Sequence, residues 1–348
     1  MSLHSLYIFK ILLFSNTKMK KFVAIGHVDT GKSCLCGHLL YKCGYIDDHS
    51  MNKIKDKAEK EKMGRWFWSR VLDIYEDEMR RGKTHEFNQI EFDYQEKKYQ
   101  LIDTPGHQTY VRSMIEGISQ DVNICMLLIS MIPNEFESSF EKGMLKEHLI
   151  LARSLDIRFI ILVGNKMDAI GWDENIYNES INKIKKYLKS INWREKCIRD
   201  IPISAFEGVG LVDNKDMPSW YKSEHGNNLL EIIDNIPFPK NQLSIVLENC
   251  IPTDTFIVEI RIFNLEDDII SSGFTFNCHF QGEEAEIKVV KLKQDLESKN
   301  YKVFAKKGEK VVALVKSDKK IKIAQDLKMI FRKNNYTLGF GKVLKVKT

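Results

Sequence analysis

The chain contains 348 residues, 43% of them hydrophobic, and carries 53 Lys or Arg side chains against 48 Asp or Glu. This length is too great for one ordinary domain and predicts two folded units with packed cores. The net charge of +5 is a mild basic excess, so charge alone does not indicate nucleic-acid binding. The seven cysteines include no C-x-x-C pair, which favours reduced thiols in a cytoplasmic protein.

The first 18 residues are expected to form an N-terminal extension, residues 1–18. Their apolar run at 6–14 is interrupted by Lys10 and is too short to span a membrane, and no small-residue cleavage site follows it. Met19 directly precedes a strand-like run, so both Met1 and Met19 are possible translation starts.

Residues 19–239 alternate between apolar strands and amphipathic helices, which predicts a parallel sheet covered by helices. The predicted strands are 22–25, 99–102, 124–129 and 159–163, and the predicted helices include 148–155, 179–191 and 229–233. Pro237 and Pro239 end the last helix and mark a linker.

Residues 240–348 have a different pattern. Short β-type runs occupy 256–262, 274–278, 285–289, 311–315 and 341–346, with glycine-containing turns between them. Strands at this spacing predict a small all-β barrel domain.

The loop Gly26–Ser33 reads Gly-His-Val-Asp-Thr-Gly-Lys-Ser and fits the G-x-x-x-x-G-K-S pattern between a strand and a helix. In this pattern backbone N–H groups hold phosphate oxygens, Lys32 reaches the β and γ phosphates, and the Ser33 hydroxyl binds Mg²⁺. The nucleotide-binding residues predicted here are His27, Val28, Asp29, Thr30, Gly31, Lys32, Ser33 and Cys34.

A second element, Asp103–His107, follows the predicted strand 99–102. Asp103 can hold Mg²⁺, and the Gly106 N–H can approach a γ-phosphate because no side chain obstructs it. A sequence of this kind also occurs as an ordinary turn. Its position at a strand end, in the correct order with the other motifs, favours a nucleotide site.

The third element, Asn165-Lys166-Met167-Asp168, predicts guanine as the base. It follows the strand 159–163 at the carboxyl edge of the sheet, where ligands collect in such folds. The Asp168 carboxylate can accept from N1–H and the 2-amino group of guanine, a pair of donors that adenine does not offer. Asn165 is expected to bond the other edge of the base and Lys166 to pack along it. Farther along the chain, Ser204 and Ala205 are expected to supply a backbone N–H for the guanine O6.

These three motifs resemble those of the translation GTPases, namely elongation factor 1-alpha, the GTPase release factor and the Hbs-type ribosome-rescue factor. Residues 44–84 are similar to the long first-switch insertion of that family, and residues 135–148 resemble a second family stretch. The resemblance extends over residues 20–238. It implies an α/β P-loop GTPase domain, here residues 19–239, that binds GTP and GDP with Mg²⁺ and hydrolyses GTP to GDP and phosphate.

The resemblance also implies roles for single residues. Thr84 is similar to the switch threonine that joins Ser33 on Mg²⁺, and with Asp103 these residues form the implied metal set. His107 resembles the residue that orients the attacking water, next to Gly106 at the γ-phosphate. Asp29 resembles a P-loop acid that neutralises charge through a monovalent cation.

Position 83 bears on the subfamily. Lys83 stands where elongation factors usually have isoleucine, and release-type factors tolerate Gly-Lys-Thr at this point. The lysine therefore favours a release or rescue factor over an elongation factor.

The family carries two β-barrels after the GTPase domain, whereas 109 residues follow Pro239 here, enough for one barrel. The closing stretch 339–344 resembles the last barrel, so residues 240–348 are assigned to it and the middle barrel is expected to be absent. The resemblance implies termination or ribosome rescue, transient ribosome binding, and a release-factor-like or Pelota-like protein partner on the barrel. Membrane contact and aminoacyl-tRNA binding are not expected. Two alternatives stay open, an elongation-factor-like GTPase and a non-hydrolysing GTP-binding module that presents a partner surface.

Overall fold

The computed structural model describes residues 19–60, 67–68, 71, 88–103, 122–142, 145–154, 157–238, 250–263, 269–280, 283–333 and 336–346. Within these ranges the chain forms an α/β domain followed by a β-barrel, as the sequence predicts. In this part of the chain no helix is both long enough and apolar enough to cross a membrane.

The first domain is built on a six-stranded sheet in the order β2-β3-β1-β4-β5-β6. The strands are β1 (Lys20–Gly26), β2 (Asn88–Tyr94), β3 (Lys97–Asp103), β4 (Ile124–Ser130), β5 (Phe159–Asn165) and β6 (Ile198–Pro202). The neighbouring interior strands β4 and β5 are buried along their whole length, because helices cover both faces of the sheet. All neighbouring pairs are parallel except β2–β3, so the predicted parallel sheet has one antiparallel strand at its edge.

Helices and short helical turns connect these strands. The helices are α1 (Lys32–Lys42), α2 (Asp48–Lys60), α3 (Pro133–Glu137), α4 (Leu145–Ser154), α5 (Glu174–Ser190) and α6 (Leu229–Asp234). One π turn, Ser138–Lys142, follows α3, and short 3₁₀ turns occupy Met167–Ile170 and Glu195–Cys197. The Asp173 carboxylate caps α5 by accepting from the N–H groups of Asn175 and Ile176, which fixes where that helix begins.

The second domain closes into a barrel. Its strands are β7 (Ile251–Ile262), β8 (Ile270–Ser271), β9 (Thr275–Phe280), β10 (Glu283–Lys293), β11 (Tyr301–Lys302), β12 (Phe304–Ala305), β13 (Lys310–Ile323), β14 (Lys328–Lys333) and β15 (Tyr336–Val346). Six of them form a ring in the order β10-β13-β7-β15-β14-β9, and β9 pairs again with β10. Inward-facing apolar residues alternate with exposed ones, as along β10 and β9, and form a core separate from that of the first domain.

The barrel contacts the first domain through α4, β14 and β15. The Glu147 carboxylate accepts from the N–H of Thr337 at 2.8 Å. The Arg153 guanidinium lies 5.8 Å from the centroid of the Phe340 ring, and Ile330 packs into the core of the first domain. The same helix, α4, also lies against the nucleotide loop described next.

Candidate functional site

The loop between β1 and α1 holds a conformation that requires glycine. Gly31 has φ +93°, and a Cβ placed on it would lie 2.5 Å from the Asn165 Nδ2. Gly26, at the end of β1, would place a Cβ 2.7 Å from the Leu128 carbonyl oxygen. Asp29 also has a positive φ, +62°. The glycines therefore let the loop turn tightly and lead directly into the helix.

The loop directs positive charge inward. Lys32, the first residue of α1, is buried, and its ammonium donates to the carbonyl oxygens of Gly26 and His27 at 2.8 and 2.9 Å. The Thr30 hydroxyl donates to the same His27 carbonyl at 2.8 Å. Ser33 follows on the first turn of α1 and is half-buried. A buried ammonium beside a helix N-terminus is an arrangement suited to phosphate.

Asn165 joins two loops of the site. Its Nδ2 donates to the Thr30 carbonyl at 2.8 Å, and its Oδ1 accepts from the Ala205 N–H at 2.9 Å. The side chain is almost completely buried. Its observed contacts therefore position the loops, while the expected contact with the base edge stays a prediction.

Asp168 lies at the carboxyl edge of the sheet, in the turn after β5. Its Oδ1 accepts from the Ser204 hydroxyl at 2.8 Å, and the Ser204 oxygen in turn accepts from the Glu207 N–H at 3.1 Å. These bonds hold the half-buried carboxylate in one orientation. The arrangement presents an acidic acceptor at the place where the sequence predicts recognition of guanine.

Lys166 makes a contact that the sequence did not predict. Its backbone has φ +67°, and its ammonium pairs with the Glu135 carboxylate of α3 at 2.6 Å. Burial raises the pKa of Glu135, but hydrogen bonds from Lys166 and Ser130 outweigh burial and bring the pKa below its ordinary value. Packing of Lys166 along a base stays a prediction, and any such packing must be compatible with this ion pair.

The contact of the Ser204 and Ala205 backbone with the guanine O6 stays a prediction. The Ser204 N–H donates to the Val209 carbonyl at 3.2 Å, and the Ala205 N–H donates to Asn165. Both amides therefore have partners inside the protein. The loop is compact because Ser204 also accepts from Gly208, so its shape is set before any ligand is considered.

His148 of α4 is a neighbour of the nucleotide loop that sequence reasoning noted only as part of a family stretch. It is 4% exposed, and its Nδ1 has no hydrogen-bond partner among the described residues. Burial, together with the positive charges of Lys32 and His27, lowers its pKa to about 4. A neutral imidazole therefore lies beside the buried ammonium of the loop.

The remaining predicted site residues lie partly outside the described ranges. Thr84, Gly106 and His107 are not among the described residues, and of Asp103 only the backbone is described, paired with Ala24 and Asn88. Among the described residues, no group of three or more His, Cys, Asp or Glu is placed to hold a metal ion. The predicted Mg²⁺ set of Ser33, Thr84 and Asp103 thus stays a prediction.

Val28 and Cys34 complete the predicted phosphate loop. Val28 lies in the turn before Asp29, and Cys34 is a half-buried cysteine in the first turn of α1. Both therefore lie in the loop and helix start, where backbone N–H groups are expected to face a phosphate.

Comparison with known proteins agrees with this geometry. Residues 17–240 match the elongation factor Tu GTP binding domain, and residues 249–347 match the elongation factor Tu C-terminal domain. Elongation factor 1-alpha 2 of Euplotes crassus is 36% identical over 222 residues, which are 64% of this chain and 50% of that protein. The eukaryotic peptide chain release factor GTP-binding subunit of Debaryomyces hansenii is 36% identical over 230 residues, 64% of this chain and 32% of the relative.

Solved structures show the same fold. The crystal structure of the S. cerevisiae Ski7 GTPase-like domain bound to GTP superposes with a TM-score of 0.55 at 21% identity, covering 100% of this chain and 78% of that one. The chain spans no more than half the length of the two curated relatives named above. From the matched GTP-binding domain, which extends over more than half of its residues, the chain belongs to the translation-factor GTPase family.

Proposed function

We propose that this chain binds GTP and GDP with Mg²⁺, hydrolyses GTP, and acts as a switch in translation termination or ribosome rescue. The observation that carries the proposal is that Asn165 joins the phosphate loop to the loop at Ala205, while Ser204 of that second loop holds the Asp168 carboxylate. Membership of the family supports GTP binding. Hydrolysis and the biological role are the parts that need direct tests.

The proposed division of labour follows from the site. The buried Lys32 and the N–H groups at the start of α1 balance phosphate charge, and Asp168 selects guanine. Mg²⁺, when bound, neutralises charge on the phosphate oxygens, and Ser33, Thr84 and Asp103 are the residues proposed to hold it. His107 is proposed to orient the attacking water next to Gly106, with Asp29 assisting charge balance.

Base selection is tested by changing the acceptor. Asp168→Asn should weaken GTP binding and shift preference toward xanthosine triphosphate, whose 2-oxo group accepts from an amide. Asp216→Asn is the matched control, because Asp216 is exposed and its positive φ is one that asparagine also tolerates. Equal affinity of the unmodified protein for ATP and GTP would contradict the assignment.

Hydrolysis is tested with His107→Ala. We expect nucleotide affinity within about twofold of the unmodified protein but stimulated turnover lower by about 10²-fold or more, because orienting the water matters in the transition state. Ribosomes supply the stimulation, and cosedimentation with GDP or a non-hydrolysable GTP analogue shows whether binding depends on the nucleotide. Binding of GTP without turnover, with or without ribosomes, would instead favour the non-hydrolysing module.

The proposed architecture places residues 19–239 in the GTPase domain and 240–348 in the last barrel, with no middle barrel between them. In elongation factors of the resembling family the middle barrel forms part of the aminoacyl-tRNA site, so aminoacyl-tRNA should not bind appreciably. The proposed partner is instead a release-factor-like or Pelota-like protein on the barrel. Three exposed apolar side chains, Tyr301, Val303 and Phe304, lie in consecutive short strands and the residue between them. They provide the kind of apolar contact that protein interfaces use.

The partner is tested by pull-down with the chain loaded with a GTP analogue. Val303→Glu should reduce capture without affecting folding, because Val303 is 80% exposed. Lys319→Glu, also on the barrel and exposed, is the control. A variant ending at Pro239 should lose capture completely. Partner capture that persists without the barrel, or tight aminoacyl-tRNA binding, would overturn this part of the proposal.

A further inference from the structure

The positive charge of the chain is concentrated in one short segment. Residues 183–199 contain seven Lys or Arg and one Glu, a net charge of +6, whereas the whole chain carries only +5. The segment consists of the second half of α5, the turn after it and the start of β6. Lys222 lies across from this segment, in the loop before α6, and both contribute residues to one cavity. We call Lys186, Lys196, Arg199 and Lys222 the basic face.

A cavity of about 660 Å³ opens on this face. Lys196 and Arg199 line it from the segment 183–199, and Tyr221, Lys222, Ser223 and His225 line it from the loop before α6. The Tyr221 hydroxyl donates to the Asp200 carbonyl at 2.7 Å and so fixes the loop against β6. The cavity is thus a formed feature of the fold, with its cationic wall supported by a sheet strand.

Some of the local cations are already neutralised by carboxylates. Lys185 pairs with Asp200 at 2.6 Å, and Lys189 pairs with Glu195 at 3.0 Å. Within the described part of the chain, no carboxylate lies at ion-pair distance from any member of the basic face. The Arg199 guanidinium donates to the carbonyls of Lys196 and Ile198, both at 2.9 Å. Both carboxylates that line the cavity, Asp200 and Glu195, are thus already paired with lysines. An anion from outside the protein would therefore meet positive charge that no carboxylate neutralises.

The basic face is separate from the nucleotide site. Because β6 runs parallel to β5, its first residues lie at the amino edge of the sheet, opposite the edge that carries Asp168 and Ala205. The helix α5 runs back along the sheet and ends near that same amino edge. Binding at this face therefore does not compete with the nucleotide for the same groups.

The chemistry of the surface fits a phosphate backbone. Protein interfaces depend on buried apolar anchors with few lysines at their centre. Of the residues that line this cavity, Ile198 is 7% exposed, and Tyr221 is half-buried with its hydroxyl bonded to the Asp200 carbonyl, so neither offers such an anchor. Lysines and an arginine along a helix end, a turn and a strand are instead the pattern of sequence-independent contact with nucleic-acid phosphates.

We propose that the basic face binds the phosphodiester backbone of RNA. The contact goes beyond GTP binding and hydrolysis and requires neither. The RNA would lie at the amino edge of the sheet, opposite the edge that carries the nucleotide site.

The test compares two triple variants of the full chain that have the same net charge. Lys186→Gln, Lys196→Gln and Lys222→Gln remove three exposed members of the basic face. Lys299→Gln, Lys307→Gln and Lys319→Gln remove three exposed lysines of the barrel and serve as the matched control. The probe is a fluorescent single-stranded RNA of about 20 nucleotides in mixed sequence, titrated at several KCl concentrations.

The basic-face variant should bind this RNA at least about tenfold more weakly. Because each phosphate contact adds about 0.7 to the slope of log affinity against log salt, its slope should be smaller by about 2. The control should keep the affinity within about twofold and the slope unchanged. GDP affinity, measured in parallel, should be equal in both variants, so a failed RNA test is distinguishable from a failed nucleotide assignment.

Two results would overturn the inference. One is an equal loss of RNA affinity in the basic-face variant and the control, which would indicate a diffuse charge effect. The other is binding of poly-glutamate in preference to RNA, lost in the basic-face variant, which would indicate a surface for an acidic protein.

Discussion

The nucleotide loop of the first domain and the closing strand of the barrel both depend on glycine, but for different physical reasons. Gly31 has a positive φ in a loop that turns around a predicted ligand. Gly341 lies in a regular strand, where a Cβ would overlap the Glu259 carbonyl oxygen on β7. In the first case the glycine shapes a binding site, and in the second it lets two strands approach closely. The comparison separates residues needed for function from residues needed for folding.

The largest effect is expected in the barrel. Gly341→Ala should destabilise the protein by more than about 3 kcal/mol, because the clash is with backbone that cannot move without breaking the β7–β15 pairing. Gly308→Ala is the control, since Gly308 has φ +87° but a Cβ added there would meet no atom within 4 Å. It should cost only about 1–2 kcal/mol from backbone strain. Urea unfolding of both variants measures the difference, and equal costs would contradict the packing argument.

In the nucleotide loop, a glycine substitution should affect nucleotide binding more than stability. Gly31→Ala is expected to lower GDP affinity by about 100-fold while reducing stability by only about 1–2 kcal/mol. The added methyl meets the Asn165 amide, which can shift, but shifting it would loosen the bridge to Thr30 and Ala205. Gly44→Ala is the matched control, because Gly44 has φ +81° and open space around it. Calorimetric titration with GDP should show no change for the control, and a similar loss in both variants would remove the special role of Gly31.

The sequence predicted the first of these regions far better than the second. Gly31 belongs to a motif whose spacing follows from phosphate chemistry, so its importance could be stated before the structure was known. The closing strand was predicted only from 341 onward, whereas β15 begins at Tyr336 and its partner β14 was not predicted at all. Strand pairing depends on contacts between distant parts of the chain, which a local pattern does not contain.

The edge strand of the first sheet was likewise not predicted from the local sequence. The strand β2 has the sequence Asn-Gln-Ile-Glu-Phe-Asp-Tyr and pairs antiparallel with β3. The turn between them uses Gln95 and Glu96, both with positive φ, instead of the glycine or asparagine that normally marks such a hairpin. The antiparallel edge strand β2 is therefore the one departure, among the described strands of this sheet, from the predicted parallel sheet. The roles of Asn165 and His148 were likewise set by contacts far away in sequence.

The nucleotide loop should also respond to acid through His148. Its pKa is lowered from about 6.5 to about 4 by burial and by Lys32 and His27, so below pH 6.5 the unfolded chain binds a proton that the folded protein does not. The free energy of unfolding therefore decreases as the pH falls from 6.5 to about 4, by on the order of 3 kcal/mol in total. His38, also buried with a pKa of about 4, adds a loss of the same sign.

The contribution of His148 is measured by replacing the titrating group. His148→Met should lower the difference in unfolding free energy between pH 7 and pH 4.5 by about 2–3 kcal/mol. His49→Asn, which changes an exposed histidine, is the control. A pH dependence that is identical in the His148 variant and the unmodified protein would show that His148 is not the responsible group.

The smallest effect is expected where the two regions meet, at Glu147. Burial raises the pKa of this carboxyl above its ordinary value, even though Thr337 and Arg332 act in the opposite direction. For an acid with a raised pKa, the stability present at low pH is lost as pH rises through the folded-state pKa, so ionised Glu147 costs stability near neutral pH. The neutral Glu147→Gln variant should therefore be unchanged or more stable by up to about 1 kcal/mol.

A second variant separates the charge from the hydrogen bond. Glu147→Ala removes the acceptor of the Thr337 N–H and should destabilise by about 1–3 kcal/mol, since that amide would lose its partner at a partly buried interface. The Gln side chain keeps an acceptor for the Thr337 N–H. Urea unfolding at pH 5 and pH 8 distinguishes the two effects. If Gln and Ala destabilise equally at both pH values, the ionised carboxylate rather than its hydrogen bond joins the barrel to α4.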